Sequence, residues 1–287
     1  MSAIQERIRF WKMTGSGNDF IIIDNRGLGI DKERGRKLAQ MACRSKVSVG
    51  ADGLILIGND PDVDFQWLFF NADGSEAEMC GNGARCASRF AFLNGIVKKE
   101  HISFRTLAGI IEAEIMGDRV KVRMTQPHGL KLNIPLELNG GQMNVDFINS
   151  GVPHAVHFTD SASQLEDFDV FSNGRSIRFH QYFQPAGTNA NFAFVNGPHD
   201  ITVRTYERGV EDETLACGTG SIATALLAGA RSLVTSPVKM LTRSGETLVI
   251  HFDKTSQNDT IAFSGVFLEG DAKVVYDAEL WDETLRR

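Results

Sequence analysis

Cysteine is scarce in this chain: four in 287 residues, at Cys43, Cys80, Cys86 and Cys217. That density excludes a small secreted scaffold stapled by disulfides, and free thiols in a reducing cytoplasm are the expectation. Proline is scarce too, seven in all, and no low-complexity segment interrupts the chain. No apolar run approaches the ~20 residues that span a bilayer. The N-terminus, MSAIQERIRFWKM, places charges before any apolar run and offers no small-residue cleavage site, so it does not read as a signal peptide. No membrane partner is expected. A cluster of Lys and Arg is also missing, and the net charge is −6, which argues against a nucleic-acid partner.

What is present is ordinary globular material, 42% hydrophobic and 23% charged, enough to bury a sizeable core. The length suits one large domain or two ordinary ones. Short runs rich in Ile, Val and Phe, such as FIIID, GLILIG, FQWLFFN and GIIEAEI, are bounded by Gly, Asn and Asp and predict strands. A similar series resumes after TQPHGLKLNIPLELNGG, and the Pro/Gly/Asn-rich stretch over 126–142 is the candidate boundary.

Laid over the first half, the second half repeats it. EAEMCGNGARCASRFA at 76–91 aligns without gaps on ETLACGTGSIATALLA at 213–228 and shares Glu76/Glu213, Cys80/Cys217, Gly81/Gly218, Gly83/Gly220 and Ala91/Ala228. Upstream, TGSGNDFIII echoes INSGVPHAVH; Gly17 lies 63 residues before Cys80, and Gly151 lies 66 before Cys217. Two parallel spacings indicate a duplicated domain. Each Cys-Gly-x-Gly opens a predicted helix, and 217–230 carries no charge at all, so that helix must be enclosed. The expected class is α/β (α+β): two similar domains, each a mixed, barrel-like sheet around a central helix. The first takes residues 1–126, with 276–287 returning to it; the second takes 127–275.

The thiols divide by position. Cys80 and Cys86 lack the usual spacing of a zinc site and no His follows nearby, so no metal is expected. Cys43 and Cys86 read as small buried hydrophobes. Cys80 and Cys217 stand at helix starts, where orphan N–H groups and the helix dipole favour a thiolate and should pull the thiol below its ordinary pKa. One such thiol suits a nucleophile beside an oxyanion hole. Two equivalent thiols, one per repeat, suit removal of a proton from one face of a carbon and its return on the other, if the domains face each other across a cleft.

With these residues in view, the chain resembles the diaminopimelate epimerase family. FNADGSEAEMCGNGARC and YERGVEDETLACGTG look like its two active-site signatures, and KMTGSGNDFIIID, VGADGL, SGVPH and GTNANF fall in its order. The resemblance implies a cofactor-independent epimerase acting on LL- and meso-diaminopimelate, a small amino-acid substrate, in lysine and peptidoglycan precursor synthesis. It implies a homodimer and no cofactor. Residue by residue, it implies catalytic roles for Cys80 and Cys217. Helix-start N–H groups of Gly81-Asn82 and Gly218-Thr219 would meet the reacting carboxylate. Asn18, Asn71 and Asn189 would hold the distal end of the substrate, with Arg208 on its carboxylate and Glu207 offsetting its ammonium. His154 matches a supporting histidine near the thiols. Two positions depart: Val152 replaces a substrate-binding asparagine, and Gly53 stands where some members carry glutamine.

Rival readings are a proline- or hydroxyproline-type racemase of the same fold and a non-catalytic binder or isomerase without paired thiols. The first helix start reads Cys-Gly-Asn-Gly rather than Cys-Gly-His, against the former, and retention of both cysteines argues against the latter.

Overall fold

Alternation of apolar and polar residues decides where strands form. In β1 (Ile8–Gly15), Ile8 and Phe10 are buried while Arg9 between them is exposed. The computed structural model describes residues 7–138, 141–257, 260–281 and 283. Residues 1–6, 282 and 284–287, which the sequence assigned to the first domain, lie outside them.

The chain divides into two compact units, Met1–Val122 with Gly270–Arg287 and Arg123–Glu269. Unit 1 runs β1, β2 (Asn18–Asp24), α1 (Lys32–Ala42), β3 (Gly53–Gly58), β4 (Phe65–Asn71), α2 (Gly81–Leu93), β5 (His101–Thr106), β6 (Gly109–Met116) and β7 (Arg119–Arg123). Unit 2 runs β8 (His128–Leu138), β9 (Gly141–Asn149), β10 (Pro153–Phe158), α3 (Ala162–Glu166), α4 (Val170–Arg178), β11 (Asn189–Gly197), β12 (Asp200–Glu207), β13 (Asp212–Thr214), α5 (Gly218–Ala230), β14 (Val238–Leu241), β15 (Thr247–Gln257) and β16 (Thr260–Asp271). The last strand, β17 (Lys273–Leu280), pairs antiparallel with β1.

The strand senses repeat. In unit 1, β1–β2 is antiparallel, β2–β3 parallel, β3–β4 antiparallel, β4–β5 parallel and β5–β6 antiparallel. Unit 2 reproduces the same succession in β9–β10, β10–β11, β11–β12, β12–β14 and β14–β15. β8 is to β9 what β17 is to β1, an antiparallel neighbour. The Pro/Gly/Asn-rich stretch over 126–142 contains the strand β8. It pairs antiparallel with β9, which composition alone could not show.

Each unit wraps its sheet around one helix. α2 packs on β1, β2, β3 and β6, and α5 on β9, β10, β11, β12, β14 and β15. Every residue of α5 from Gly220 to Ala230 is buried, and its side chains are Gly, Ala, Ser, Thr, Ile and Leu. The small residues let the surrounding strands approach from all sides. Ile222, Leu226 and Leu227 meet Ile148, Val156, Ile201, Met240, Leu248, Ile250 and Leu268 in the unit 2 core. The sequence had not singled out α1, α3 and α4. Asp31 caps α1 by accepting from the Arg34 N–H at 2.8 Å. Among the described residues no helix is long and apolar enough to cross a membrane.

Candidate active site

Cys80 and Cys217 are the N-cap residues of α2 and α5, one position before the first helical residue. Both keep extended backbones, so the thiol lies over the unpaired N–H groups of the first turn. The Gly83 N–H donates to Cys80 Sγ at 3.5 Å. Cys217 makes no such cap bond to the backbone, and its Sγ stands 3.6 Å from Thr219 Oγ1. Cys43 and Cys86 are buried in the unit 1 interior as packing residues.

One expectation is corrected here. Burial pushes the Cys80 thiol up, although the Gly83 and Asn82 N–H groups and the Arg85 guanidinium pull the other way. Cys217 is pushed up to about 12, first by burial and then by the Glu207 carboxylate, against the Thr219 hydroxyl and the Gly220 and Thr219 N–H groups. A helix start favours a thiolate only by the few N–H groups it presents, while taking the sulfur out of water penalises the charge more.

Around Cys80, unit 1 builds a polar ladder. Asn82 Nδ2 donates to Asn18 Oδ1 at 2.8 Å, and Asn18 Nδ2 donates to Asp52 Oδ2 at 2.9 Å. Asp52 is held in turn by the Asp19 N–H, and Lys12 pairs with Asp19 at 2.7 Å. Asn18 is thus oriented on both sides, with one amide hydrogen left over. Arg85, fully buried, donates to Ser16 Oγ at 2.7 Å and to the Asp271 and Gly81 carbonyls, which ties the β1–β2 turn to the helix below Cys80. Asn71 ends β4 and donates to Ser75 Oγ at 2.9 Å. Sequence reasoning missed Asp52 and Arg85, although both lie inside the quoted motifs.

Unit 2 gathers Cys217, Glu207, Arg208, Asn189, Thr219 and His154. Glu207 accepts from Thr214 Oγ1 at 3.0 Å and from the Cys217 thiol, and burial raises its carboxyl above the usual range. The carboxylate expected to offset an ammonium therefore already holds the thiol. Asn189 Oδ1 accepts from the Arg208 N–H at 2.8 Å and its Nδ2 donates to the Pro153 carbonyl at 3.0 Å. It ties the ends of β10 and β12 together. Arg208, half-buried, spends one guanidinium nitrogen on the Ala186 carbonyl at 2.8 Å. Thr219 accepts from Ser150 Oγ at its carbonyl, and its hydroxyl meets His154 Nε2 at 3.0 Å.

The two departures lie on one pseudo-equivalence. Phe20 pairs with Gly53 across β2–β3 as His154 pairs with Asn189 across β10–β11. Two residues earlier, Asn18 of unit 1 therefore matches Val152 of unit 2, and Gly53 matches Asn189. A Cβ on Gly53 would come within 2.6 Å of Phe69 Cε2 and 2.8 Å of the Phe70 carbonyl oxygen. The Phe69 ring fills the space that a side chain at 53 would need, which accounts for the missing glutamine. Nothing in the structure explains valine at 152.

His154 is fully buried, and its pKa is lowered from 6.5 to about 3, by burial and then by the Arg208 cation, against its bond to Asn191. The unfolded chain takes up a proton below pH 6.5 that the folded protein refuses. This residue's contribution is therefore complete above that pH and declines as pH falls toward 3, by about 1.4 kcal/mol per unit. Replacing His154 by Phe, the residue unit 1 carries in the equivalent place, is expected to remove this component. Urea unfolding at pH 7 and pH 5 should show the variant gaining roughly 2 kcal/mol on the parent at the lower pH. A difference independent of pH would mean that His154 is not held neutral.

The family model for diaminopimelate epimerase matches residues 10–129 and 147–275. The chain is 46% identical over 289 residues to a diaminopimelate epimerase of Aquifex aeolicus, covering 97% of this chain and 99% of the relative. It is 47% identical over 279 residues to one of Hydrogenobaculum, covering 94% and 97%. A crystal structure of a Bacillus anthracis phenazine biosynthesis protein of the PhzF family superposes with a TM-score of 0.73 at 14% identity, covering 96% of this chain and 99% of that one. The structural likeness extends to the fold of two repeated, sheet-dominated domains.

Proposed function

The chain belongs to the diaminopimelate epimerase family, an isomerase, and from that premise we propose that it interconverts LL- and meso-diaminopimelate without a cofactor, through one cysteine thiolate and one cysteine thiol. The observation that carries the reading is the pair of cysteines, each capping an enclosed helix at the same place in a duplicated fold.

Both thiols are neutral in the substrate-free protein because burial raises them. One must lose its proton to become the base, and Glu207 already accepts from Cys217. Its own raised carboxyl brings donor and acceptor closer in proton affinity, which eases the transfer. The thiolate then takes the α-proton, while the other thiol delivers its proton to the opposite face. The two cysteines end with their protonation states exchanged. Charge that develops on the α-carboxylate is met by the first-turn N–H groups of Gly81-Asn82 and Gly218-Thr219. Asn18, Asn71, Asn189 and Arg208 take the distal ammonium and carboxylate, whose binding fixes the reacting carbon. The reaction serves lysine and peptidoglycan precursor synthesis in the cytoplasm, with a homodimer as the working form.

Valine at 152 removes one polar contact to the distal group, which favours a second reading: a racemase of the same type acting on another amino acid. The test is α-proton exchange in D2O over LL-diaminopimelate, proline, lysine and glutamate. Exchange confined to diaminopimelate is the expected result. Exchange of another member alone would replace the first reading by the second.

A further inference from the structure

The duplicated fold contains its own control experiment. Behind Cys80, unit 1 places Phe20, Ile55 and Phe69, all buried, with Ile55 paired to Phe69 across β3–β4 and the Phe20 and Phe69 rings edge to face at 5.9 Å. A Cβ on Gly83 of α2 would meet Ile55 and Phe20 at 3.3 and 3.5 Å. Behind Cys217, the matching places in unit 2 hold His154, Asn191 and Thr205, equally buried, with Asn191 paired to Thr205 across β11–β12. A Cβ on Gly220 of α5 would meet Asn191 Oδ1 and Thr205 Oγ1 at 2.4 and 3.3 Å. The fold accepts an apolar trio here, so the polar trio is not required by packing. Burying three polar side chains where apolar ones fit is a cost to stability, and a buried polar network of this kind specifies direction.

That direction can be read off. The Ala155 carbonyl can only accept, and it receives Asn191 Nδ2 at 3.0 Å, which fixes the amide orientation. Asn191 Oδ1 then accepts from Thr205 Oγ1 at 2.9 Å. The second Nδ2 hydrogen points to His154 Nδ1 at 3.1 Å, so that nitrogen is the acceptor and the proton sits on Nε2. Nε2–H donates to Thr219 Oγ1 at 3.0 Å. The Thr219 hydroxyl hydrogen is left to donate to Cys217 Sγ, 3.6 Å away.

We propose that Asn191 and Thr205 are positioning residues that lock His154 as the neutral Nε2–H tautomer, so that Thr219 turns its hydroxyl hydrogen onto Cys217 and favours the thiolate of that cysteine. Cys80 has no counterpart, because Asn82 replaces Thr219 and the residues behind it are apolar. The two thiols are thereby unequal by construction. Within unit 2 the titratable and charged groups facing this chain are Glu207, which accepts from Cys217, and Arg208, which opposes charge on His154. His154 is a strut for the hydrogen-bond polarity and not a base. Its significance for turnover rests on the epimerase reading; the polarity of the chain does not.

The experiment reads the thiol and the imidazole directly, apart from activity. In the Cys80→Ala protein at fixed pH, the alkylation rate of Cys217 by iodoacetamide, followed by mass spectrometry, reports its thiolate fraction. An apolar trio, His154→Phe with Asn191→Ile and Thr205→Val, imitates unit 1 while leaving room for Asn189. This variant is expected to remain folded with an unfolding midpoint no lower than its parent's, and to alkylate at Cys217 about tenfold more slowly, a rise of about one pKa unit. The Asn191→Asp variant should move the His154 proton to Nδ1, visible in the 15N imidazole spectrum, with a comparable fall in alkylation. Unchanged alkylation in the folded apolar variant would overturn the proposal. So would an Nδ1–H tautomer or an imidazolium in the unmodified protein at neutral pH, a measurement that needs no variant to fold.

Discussion

Replacing Cys80 or Cys217 by alanine is expected to lower epimerisation of LL-diaminopimelate by at least about a thousandfold, within the range a positioned acid or base supplies. Each thiol is needed in both directions, as base one way and acid the other, so neither variant should retain a favoured direction. Folding should survive. Cys80→Ala gives up a cap bond from the Gly83 N–H, worth roughly 1 kcal/mol. Cys217 makes no backbone cap bond, and its loss takes one donor from the Glu207 carboxylate, which keeps the Thr214 hydroxyl. Circular dichroism and unfolding midpoints separate this from misfolding, and α-proton exchange in D2O reads the chemistry. Undiminished turnover in both variants would end the two-thiol mechanism.

The second large effect is expected at Arg208. Its guanidinium is anchored through one nitrogen on the Ala186 carbonyl, and its backbone N–H is held by Asn189. A bidentate pair with a distal carboxylate would use two charge-assisted bonds of about 1.5–3 kcal/mol each. Arg208→Met should therefore reduce kcat/KM for diaminopimelate by roughly a hundredfold to ten-thousandfold. Part of the loss should fall on kcat, because binding at the far end orients the α-carbon between acid and base. An amino acid lacking the distal carboxylate should be turned over no worse by the variant than by the parent. Equal losses for both substrates would move Arg208 from substrate recognition to support of His154, whose charge it opposes.

These expectations trace to different levels of the molecule. The duplicated Cys-Gly-x-Gly and the parallel spacing of Gly17 and Gly151 made the repeat legible, and the repeat in turn identified which two of four cysteines belong together. The strand senses then proved to repeat in the same succession, a regularity that linear patterning cannot encode because parallel pairing joins segments separated by a helix. The uncharged run 217–230 announced an enclosed helix for a simple reason: a helix without a polar face has nowhere else to go. α1, α3 and α4 were less visible, being short and half-exposed, with no repeated motif to mark their starts.

By itself, then, the sequence determined the duplicated architecture and the equivalence of Cys80 and Cys217 within it, since these depend on residue identity and spacing along the chain. The tertiary structure decided what those residues feel. It reversed the expected lowering of the thiols, because burial is a property of the surrounding strands and not of the helix start. It placed Glu207 on Cys217, and it showed that Phe69 occupies the room at Gly53. Pairing across β2–β3 and β3–β4, and across β10–β11 and β11–β12, matches Ile55 with Asn191 and Phe69 with Thr205. Hydrogen-bond direction depends on which carbonyl a side chain meets, and no sequence motif records that.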